Sequence, residues 1–502
     1  MDDPQSQSVR ALESGVATGE AGPLRRIDTH LSHVFLGMER VYKLKRAVRM
    51  PFVDFTTLEK RRAACEAELQ IDRRFAPRLY LGVEPLVSTA DGSLRLGGAG
   101  EPVDWLVVMR RFPDGALFDE LARAGRLTVA MVTGAAEQIA AVHADAEPSP
   151  GFGGPDRYLD IIEGLRRTEA DGAAAHGLPR ASLELYDALD AEIRRRAPLI
   201  ERRRAHGKVR RGHGDLHLRN LCLFEGEPTA FNALEFDPAL ATTDVLYDLA
   251  FLLMDLRRCG LRAHANAAMN RYWDLSGEDE AGLALLPLFM ALRAGVRAAV
   301  AMEAGHADDA HGYRALGLAL LQPPPARLLA IGGLSGSGKS ALAQVMAPEL
   351  GGACGARLLR TDVIRKGLLG KAETERLDVD AYRPERRAEV YQVMAERAAD
   401  ALLAGNPILA DASFQDPEAR LAITLAAGGV QFEALWLRTS PEVRLGRIAA
   451  RAGDASDADT RVAGAQVEPE LEPGWIALDA GGPLDEVAGR AREVLGLPAS
   501  GD

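Results

Sequence analysis

Apolar residues follow two different rhythms along the chain. After residue 326, short apolar runs alternate with longer stretches whose apolar residues return every three or four positions. The runs Arg327–Gly332, Arg357–Thr361, Pro407–Ala410, Phe432–Leu437 and Trp475–Leu478 predict strands. Arg383–Leu403 and Pro441–Arg451 predict helices between them. Short apolar strands separated by helices imply an α/β doubly wound domain, with a parallel sheet covered on both faces. The earlier part of the chain differs. Val34–Leu36, Val41–Leu44 and Trp105–Met109 read as strands, and about Phe55 to Phe75 reads as a helix. Beyond the turn Arg110–Gly115 the chain is mostly helical, apart from a hairpin-like stretch from His213 to Asp237. A β-rich lobe followed by a helical lobe predicts an α+β, two-lobed domain.

The boundary between the two rhythms is Gln322-Pro323-Pro324-Pro325. Three prolines cannot continue a helix and favour an extended spacer. The expected organisation is therefore a two-lobed domain over 24–321, a linker over 322–326 and a second domain over 327–502. Residues 1–23 are polar and acidic, without the basic and apolar regions of a signal peptide, and are expected to be a disordered leader.

Composition narrows the partners. The chain has 502 residues, 47% hydrophobic and 26% charged, with a net charge of −12. It carries no bulk positive field for nucleic acid or anionic membrane. Residues 194–211 hold nine basic side chains. Without interleaved aromatics for base stacking they read as a solvated helix face, and no nucleic-acid partner is expected. Arg210 and Arg211 could instead meet phosphate. The richest apolar stretch, Leu283–Leu292, is short and contains Pro287, so no membrane partner is expected. Cys65, Cys222, Cys259 and Cys354 form no paired motif, which fits a reducing cytoplasm. Only seven of the 60 basic residues are lysines: 43, 45, 60, 208, 339, 366 and 371. Positions that need a compact ammonium therefore stand out against an arginine background.

One such position is in Gly333-Leu334-Ser335-Gly336-Ser337-Gly338-Lys339-Ser340, which fits G-x-x-x-x-G-K-[ST]. The glycines let backbone N–H groups turn toward phosphate oxygens, Lys339 reaches the β/γ-phosphates and the Ser340 hydroxyl suits Mg²⁺. Asp362 follows the second strand, on the edge where doubly wound sheets bind ligands. It reads either as a base for an acceptor hydroxyl or as a helix cap. Asp411 closes the third strand and could hold the metal shell or the acceptor. Arg444, Arg447 and Arg451 recur on one helix face, as a phosphate lid or as a solvated face.

This half resembles the small P-loop kinases of the zeta-toxin, polynucleotide-kinase and gluconate-kinase type. The matching residues are Gly333–Ser340, Thr361-Asp362-x-x-Arg365-Lys366, Asp411, Gly446-Arg447-x-x-x-Arg451, and Asp454–Ala458 with Gln466. The resemblance implies phosphoryl transfer from ATP to an alcohol, with Asp362 as the base.

A second signal is His213-Gly214-Asp215-Leu216-His217-Leu218-Arg219-Asn220. Kinase catalytic loops place a base Asp five residues before an Asn that ligates Mg²⁺, which matches Asp215 and Asn220. A further metal carboxylate is expected on the next strand, at Glu235 or Asp237. His213, Asp215 and His217 alternate, but no further ligand at fixed spacing supports zinc. This half resembles the aminoglycoside phosphotransferase family, which includes choline-kinase-like enzymes. Asp244–Ala250 adds to the match. The resemblance places Lys43, ahead of Lys45, on the nucleotide phosphates, with Glu66, ahead of Glu68, as the lysine's partner. No G-x-G-x-x-G covers the phosphates; Gly37 alone lies in the first turn.

The pairing of both halves resembles bifunctional aminoglycoside phosphotransferase/ATP-binding proteins. It implies two ATP and Mg²⁺ sites, each phosphorylating a hydroxyl of a small molecule. The alternatives are a nucleotide-binding regulatory lobe, the N-terminal one first, or a P-loop ATPase that drives a conformational cycle.

Overall fold

The structure is a computed structural model that describes residues 5–50, 53–178, 183–450 and 466–498. The chain forms two compact units, Met1–Tyr158 with Ala197–Asp255, and Leu159–Arg196 with Leu256–Asp502.

The first unit is built on a six-stranded antiparallel sheet. Its order is Arg25–Asp28, Ser32–Leu36, Arg40–Lys45, Glu101–Arg110, Tyr80–Ser88 and Leu94–Leu96. Successive side chains of a strand point to opposite faces. Tyr42 and Leu44 therefore join one core with Phe35, Leu106 and Val108. Val41 joins the other, with Val107, Met109 and Cys65. Lys43 and Lys45 fall on that second face, against the helix Leu58–Phe75. The helix starts where Thr57 accepts a hydrogen bond from the Lys60 amide.

The expected disordered leader is ordered from Gln5 onward. Ser6–Glu13 is helical, and Val9, Leu12, Ala17 and Leu24 cover the first face of the sheet. The Gln5 side chain donates to the Lys45 carbonyl at 2.9 Å and to Asp104 at 2.7 Å, and accepts from the Ala47 amide at 2.7 Å. The sequence misleads because so few apolar residues do the covering. Two of them, Val9 and Leu12, are the only buried apolar residues of an eight-residue helix, too little to register as periodicity.

The second unit contains the predicted parallel sheet. Its five strands run in the order Arg357–Arg360, Ile408–Asp411, Arg327–Gly333, Gln431–Arg438 and Trp475–Asp479. All four pairings are parallel. The helices Lys339–Met346 and Leu484–Leu495 share a core with Leu329, Ile331, Leu409, Leu435 and Leu437. The helices Arg262–Ser276, Leu286–Glu303 and Ala307–Leu320 precede the prolines, yet they belong to the same unit. Among the described residues one segment, Glu280–Glu303, is long and apolar enough to cross a membrane, and most of its apolar window is buried inside the protein.

The helix Arg262–Ser276 seals the edge strand of this sheet. Asn270 accepts from the Leu358 amide at 2.7 Å and donates to the Ala356 carbonyl at 3.1 Å. Asn266 donates to the carbonyls of Cys354 and Ala356. An open edge is a template for unwanted pairing, and these side-chain amides occupy it. Beside them Arg357 is fully buried, with Asp274 at 2.6 Å, Asn270 at 2.9 Å and Glu280 at 3.4 Å.

Candidate functional site

The phosphate loop connects the central strand Arg327–Gly333 to the helix Lys339–Met346. Its turn needs glycine at two points. Gly336 (φ +83°) and Gly338 (φ +97°) are left-handed, and a Cβ on Gly336 would lie 2.6 Å from the Arg444 carbonyl. Lys339 donates to the Leu334 carbonyl at 3.0 Å, and Ser337 Oγ is buried without a hydrogen-bond partner among the described residues. An orphaned, buried hydroxyl in a glycine-rich loop that opens a helix fits an oxyanion ligand.

Three residues predicted from separate motifs meet beside this loop. The Ser340 hydroxyl donates to Asp411 at 2.6 Å, and Asp411 is 3.5 Å from Arg360. A hydroxyl and a carboxylate are hard oxygen donors, which is the set that Mg²⁺ takes in phosphate sites. Asp362 lies in the first turn of the helix Thr361–Leu368 and accepts from Arg365 at 2.8 Å. Its carboxyl is held above the ordinary range. Burial is the main cause and Asp411 adds to it, while Arg365, Arg360 and Lys339 oppose it.

The arginines over the loop hold protein carbonyls in this structure. Arg444 donates to the Ser335 carbonyl at 2.9 Å, and Arg447 donates to the carbonyls of Ser337 and Gly482, both at 3.1 Å. Gln466 accepts from the Ser335 amide at 2.8 Å. Arg451 and Asp454–Ala458 lie outside the described residues. A cavity of about 260 Å³ adjoins Ser337, Gly338 and Arg447, and is lined further by Ala341, Pro483 and Val487.

The first unit carries the second constellation. The loop at Asp215 is pinned by Asp248, whose two oxygens accept from the His213 amide at 2.8 Å and the Gly214 amide at 2.7 Å. His143 adds a third contact to Asp248 at 3.1 Å. The His213 ring faces the Phe231 carbonyl through Nε2 at 2.9 Å and the Asp215 amide through Nδ1. This assigns the proton to Nε2. Burial, the main cause, holds the His213 pKa below its ordinary value. Asp215 itself is partly open to solvent, and Asn220 donates to its carboxylate at 2.9 Å.

Lys43 meets Glu68 at 2.8 Å, and Lys45 is buried between Glu68 and Glu235. Glu66, expected as the lysine's partner, pairs instead with Arg62 at the surface. Helix geometry explains the correction. Two residues along a helix turn the side chain by about 200°, so Glu66 faces away when Glu68 faces the sheet. Burial would raise the Glu68 pKa, but Lys43 and Lys45 more than offset it and hold the pKa low. One turn on, Asp72 is pushed up by burial and by the Glu68 charge.

Glu235 and Asp237, the two expected metal carboxylates, each have a partner in the protein. Glu235 is held by Lys45, and Asp237 caps the short helix Pro238–Ala241 by accepting from the Ala239 amide at 2.8 Å. What faces Asn220 is Asn232, whose amide donates to the Asn220 side-chain oxygen at 3.2 Å. The same Asn232 accepts from Lys43 at 2.7 Å.

Residues 328–469 match a family model described as an AAA domain. Uncharacterized proteins of Mycobacterium tuberculosis (strain CDC 1551 / Oshkosh) and Mycobacterium bovis are each 30% identical over 489 residues, spanning 93% of this chain and 94% of theirs. The chain belongs to their family. Two solved structures resemble its halves. A choline/ethanolamine kinase family protein from Mesorhizobium loti is 14% identical, with a TM-score of 0.38 over 63% of this chain and 95% of that one. A gluconokinase from Sinorhizobium meliloti 1021 is 24% identical, with a TM-score of 0.24 over 34% of this chain and 95% of that one.

In this member of the family, several functional positions were not predicted from sequence. Asp248 was legible only as part of Tyr247-Asp248-Leu249-Ala250, without its role as the loop's anchor. Asn232 carries no motif signal. The basic stretch is internally satisfied where it meets the loop. Arg203 forms a buried pair with Asp244, Arg210 donates to the carbonyls of His143, Ala144 and Ala146, and Arg211 donates to those of Leu234 and Pro238.

Proposed function

We propose that the chain is an ATP- and Mg²⁺-dependent phosphotransferase whose P-loop module moves the γ-phosphate of ATP to a hydroxyl of a small molecule. The observation that carries this reading is the convergence of Ser340, Asp411 and the partly buried Asp362 beside the phosphate loop. The loop amides and Lys339 bind the phosphates. Ser340 and Asp411 would hold Mg²⁺, which supplies charge neutralisation on the phosphates. Asp362, oriented by Arg365, takes the proton of the acceptor hydroxyl. Arg444 and Arg447 stand ready to exchange carbonyls for phosphate oxygens, and the adjoining cavity suits the base. Positioning and charge compensation do the catalytic work. A cytoplasmic location is part of this reading, and no disulfide joins the four cysteines.

For the N-terminal module, Asp215 is the candidate base, with Lys43 on the phosphates. A regulatory nucleotide-binding role is the second reading, and Asn232 favours it. Its amide, and not a carboxylate, faces the Asn220 side-chain oxygen.

The test is a metabolite-extract screen with γ-labelled ATP. Wild type should label an extract component, Lys339→Ala and Asp362→Asn should not, and Asp215→Ala reports on the first module. ATP consumption at an unchanged rate without any acceptor would replace the kinase reading with an ATPase.

A further inference from the structure

Two neighbours compete for Asp411. Ser340 Oγ donates to its Oδ2 at 2.6 Å, and the Arg360 guanidinium stands 3.5 Å from the same oxygen. That separation is longer than an N–H···O hydrogen bond. Arg360 and Asp411 are register partners at the ends of adjacent parallel strands, so a direct bond between them is within reach. The guanidinium turns the other way, and its Nη1 donates to Glu373 Oε1 at 3.1 Å.

Glu373 is tied from two sides. It lies between the helices Thr361–Leu368 and Pro384–Leu403. Its carbonyl accepts from the buried Lys366 ammonium at 2.6 Å, and its Oε2 accepts from Arg271 at 2.6 Å. Lys366 is one of the seven lysines of an arginine-rich chain. Its neighbour Arg365 holds Asp362 at 2.8 Å, so the two cations of this turn serve different groups. Arg271 comes from the helix Arg262–Ser276, which precedes the prolines.

Mg²⁺ in phosphate sites keeps several waters and takes one or two carboxylates beside the phosphates. Asp411 can be such a carboxylate only while no cation occupies its oxygens. A guanidinium hydrogen-bonded to Asp411 would fill the ligand position and set a positive charge against the metal. A guanidinium drawn onto Glu373 stands back from that oxygen.

We propose that Glu373 is a positioning residue of the phosphate-loop site, which holds Arg360 aside and so leaves Asp411 to Mg²⁺. The inference rests on the reading of Ser340 and Asp411 as the metal ligands. Through Arg271, the helix before the prolines also takes part in the site.

The experiment uses the full chain and a fluorescent ADP bearing an N-methylanthraniloyl group, which has no γ-phosphate to transfer. The Lys339→Ala chain gives the signal that does not come from the phosphate loop, and this is subtracted. Mg²⁺ is titrated against the remainder, and the concentration that gives half of the change is read. Glu373→Gln keeps the shape of a side chain that is partly exposed, and should raise that concentration by about tenfold, the size expected when a partner outside the metal ligands is lost. Arg360→Met should not raise it. Adding Glu373→Gln to Arg360→Met should change it by less than about threefold, because the guanidinium that Glu373 restrains is gone. A rise of less than about threefold in Glu373→Gln alone overturns the proposal. A rise of about threefold or more on adding Glu373→Gln to Arg360→Met also overturns it, since Glu373 would then act by its own charge. So does a rise in Arg360→Met, which would make Arg360 a direct part of the nucleotide or metal site. Absence of any Lys339-dependent signal overturns the phosphate-loop reading, and a Lys339-dependent signal that Mg²⁺ leaves unchanged overturns the metal ligands. The proposal falls with either, and the two failures are told apart.

Discussion

Arg357→Met tests whether the helix Arg262–Ser276 and the parallel sheet are one cooperative unit. Arg357 is fully buried and is held by Asp274, Glu280 and Asn270. Methionine preserves much of its length and removes its charge. Glu280 keeps Arg397 at 2.6 Å, and Asn270 keeps the Leu358 amide. The loss therefore falls on Asp274, whose side chain is 18% exposed and reaches some water. Stripping one partner from a buried pair costs about 3–5 kcal/mol, and these compensations point to the low end, about 3 kcal/mol. At a urea slope of about 2–3 kcal/mol/M, the unfolding midpoint should fall by about 1 M. Tryptophan fluorescence reads both parts at once, because Trp273 lies in the helix and Trp436 and Trp475 lie in the sheet. Arg357→Met/Asp274→Leu should recover most of the loss, since it buries no unpaired charge. A shift under about 1 kcal/mol, or a double variant no better than the single one, would refute the reasoning. A chain cut at the prolines should fare worse than either, because it bares the sheet edge and leaves Arg357 without all three partners.

The other predictions concern the two sites. Glu68→Gln should destabilise the first unit by about 3 kcal/mol, whereas Glu66→Gln should cost under about 0.5 kcal/mol, both measured by urea unfolding. Asp362 must be ionised to act as a base, and its pKa is raised, so acceptor-dependent kcat/KM should fall as pH drops through a value above the ordinary carboxylate range. Asp362→Asn should abolish turnover while preserving nucleotide binding by calorimetry. Asp72, raised by burial and Glu68, is neutral in the folded chain over a range where it is ionised in the unfolded one. It therefore lowers stability as pH rises from the ordinary Asp value toward its raised one. Asp72→Asn removes that penalty, so its thermal stability relative to wild type should be greater at pH 8 than at pH 4.

The parallel sheet was legible strand by strand because buried strands are written as short apolar runs. All five predicted runs fall on observed strands, with ends that move by one residue or not at all. The antiparallel sheet was legible only in its most apolar members. Tyr80–Ser88 was missed because it contains Gly82, Glu84 and Pro85, all partly buried in the finished sheet. The phosphate loop and the Asp215 loop were found because their chemistry needs fixed residues at fixed local spacing. Partners supplied from a distance were not found. Glu68 and Glu66 are equivalent by sequence, and only the helix's orientation against Lys43 and Lys45 separates them.

Asn232 shows why the first site is harder to read than the second. In the phosphate loop, contact and motif coincide, because backbone amides of consecutive residues do the binding. In the first unit, the arrangement of the site depends on which acids Lys43 and the buried Lys45 hold. Lys45 lies on the same strand face as Lys43, and it draws Glu235 into a pair. The neutral Asn232 then fills the place beside Asn220 without adding charge to a pocket already balanced by two lysines and two glutamates. Lys45→Met should therefore release Glu235 and, unlike any change in the loop itself, raise the Mg²⁺ sensitivity of the first site while leaving Asp215 and Asn220 intact. Unchanged Mg²⁺ sensitivity of nucleotide binding in that variant would mean that the lysine pair does not govern the site.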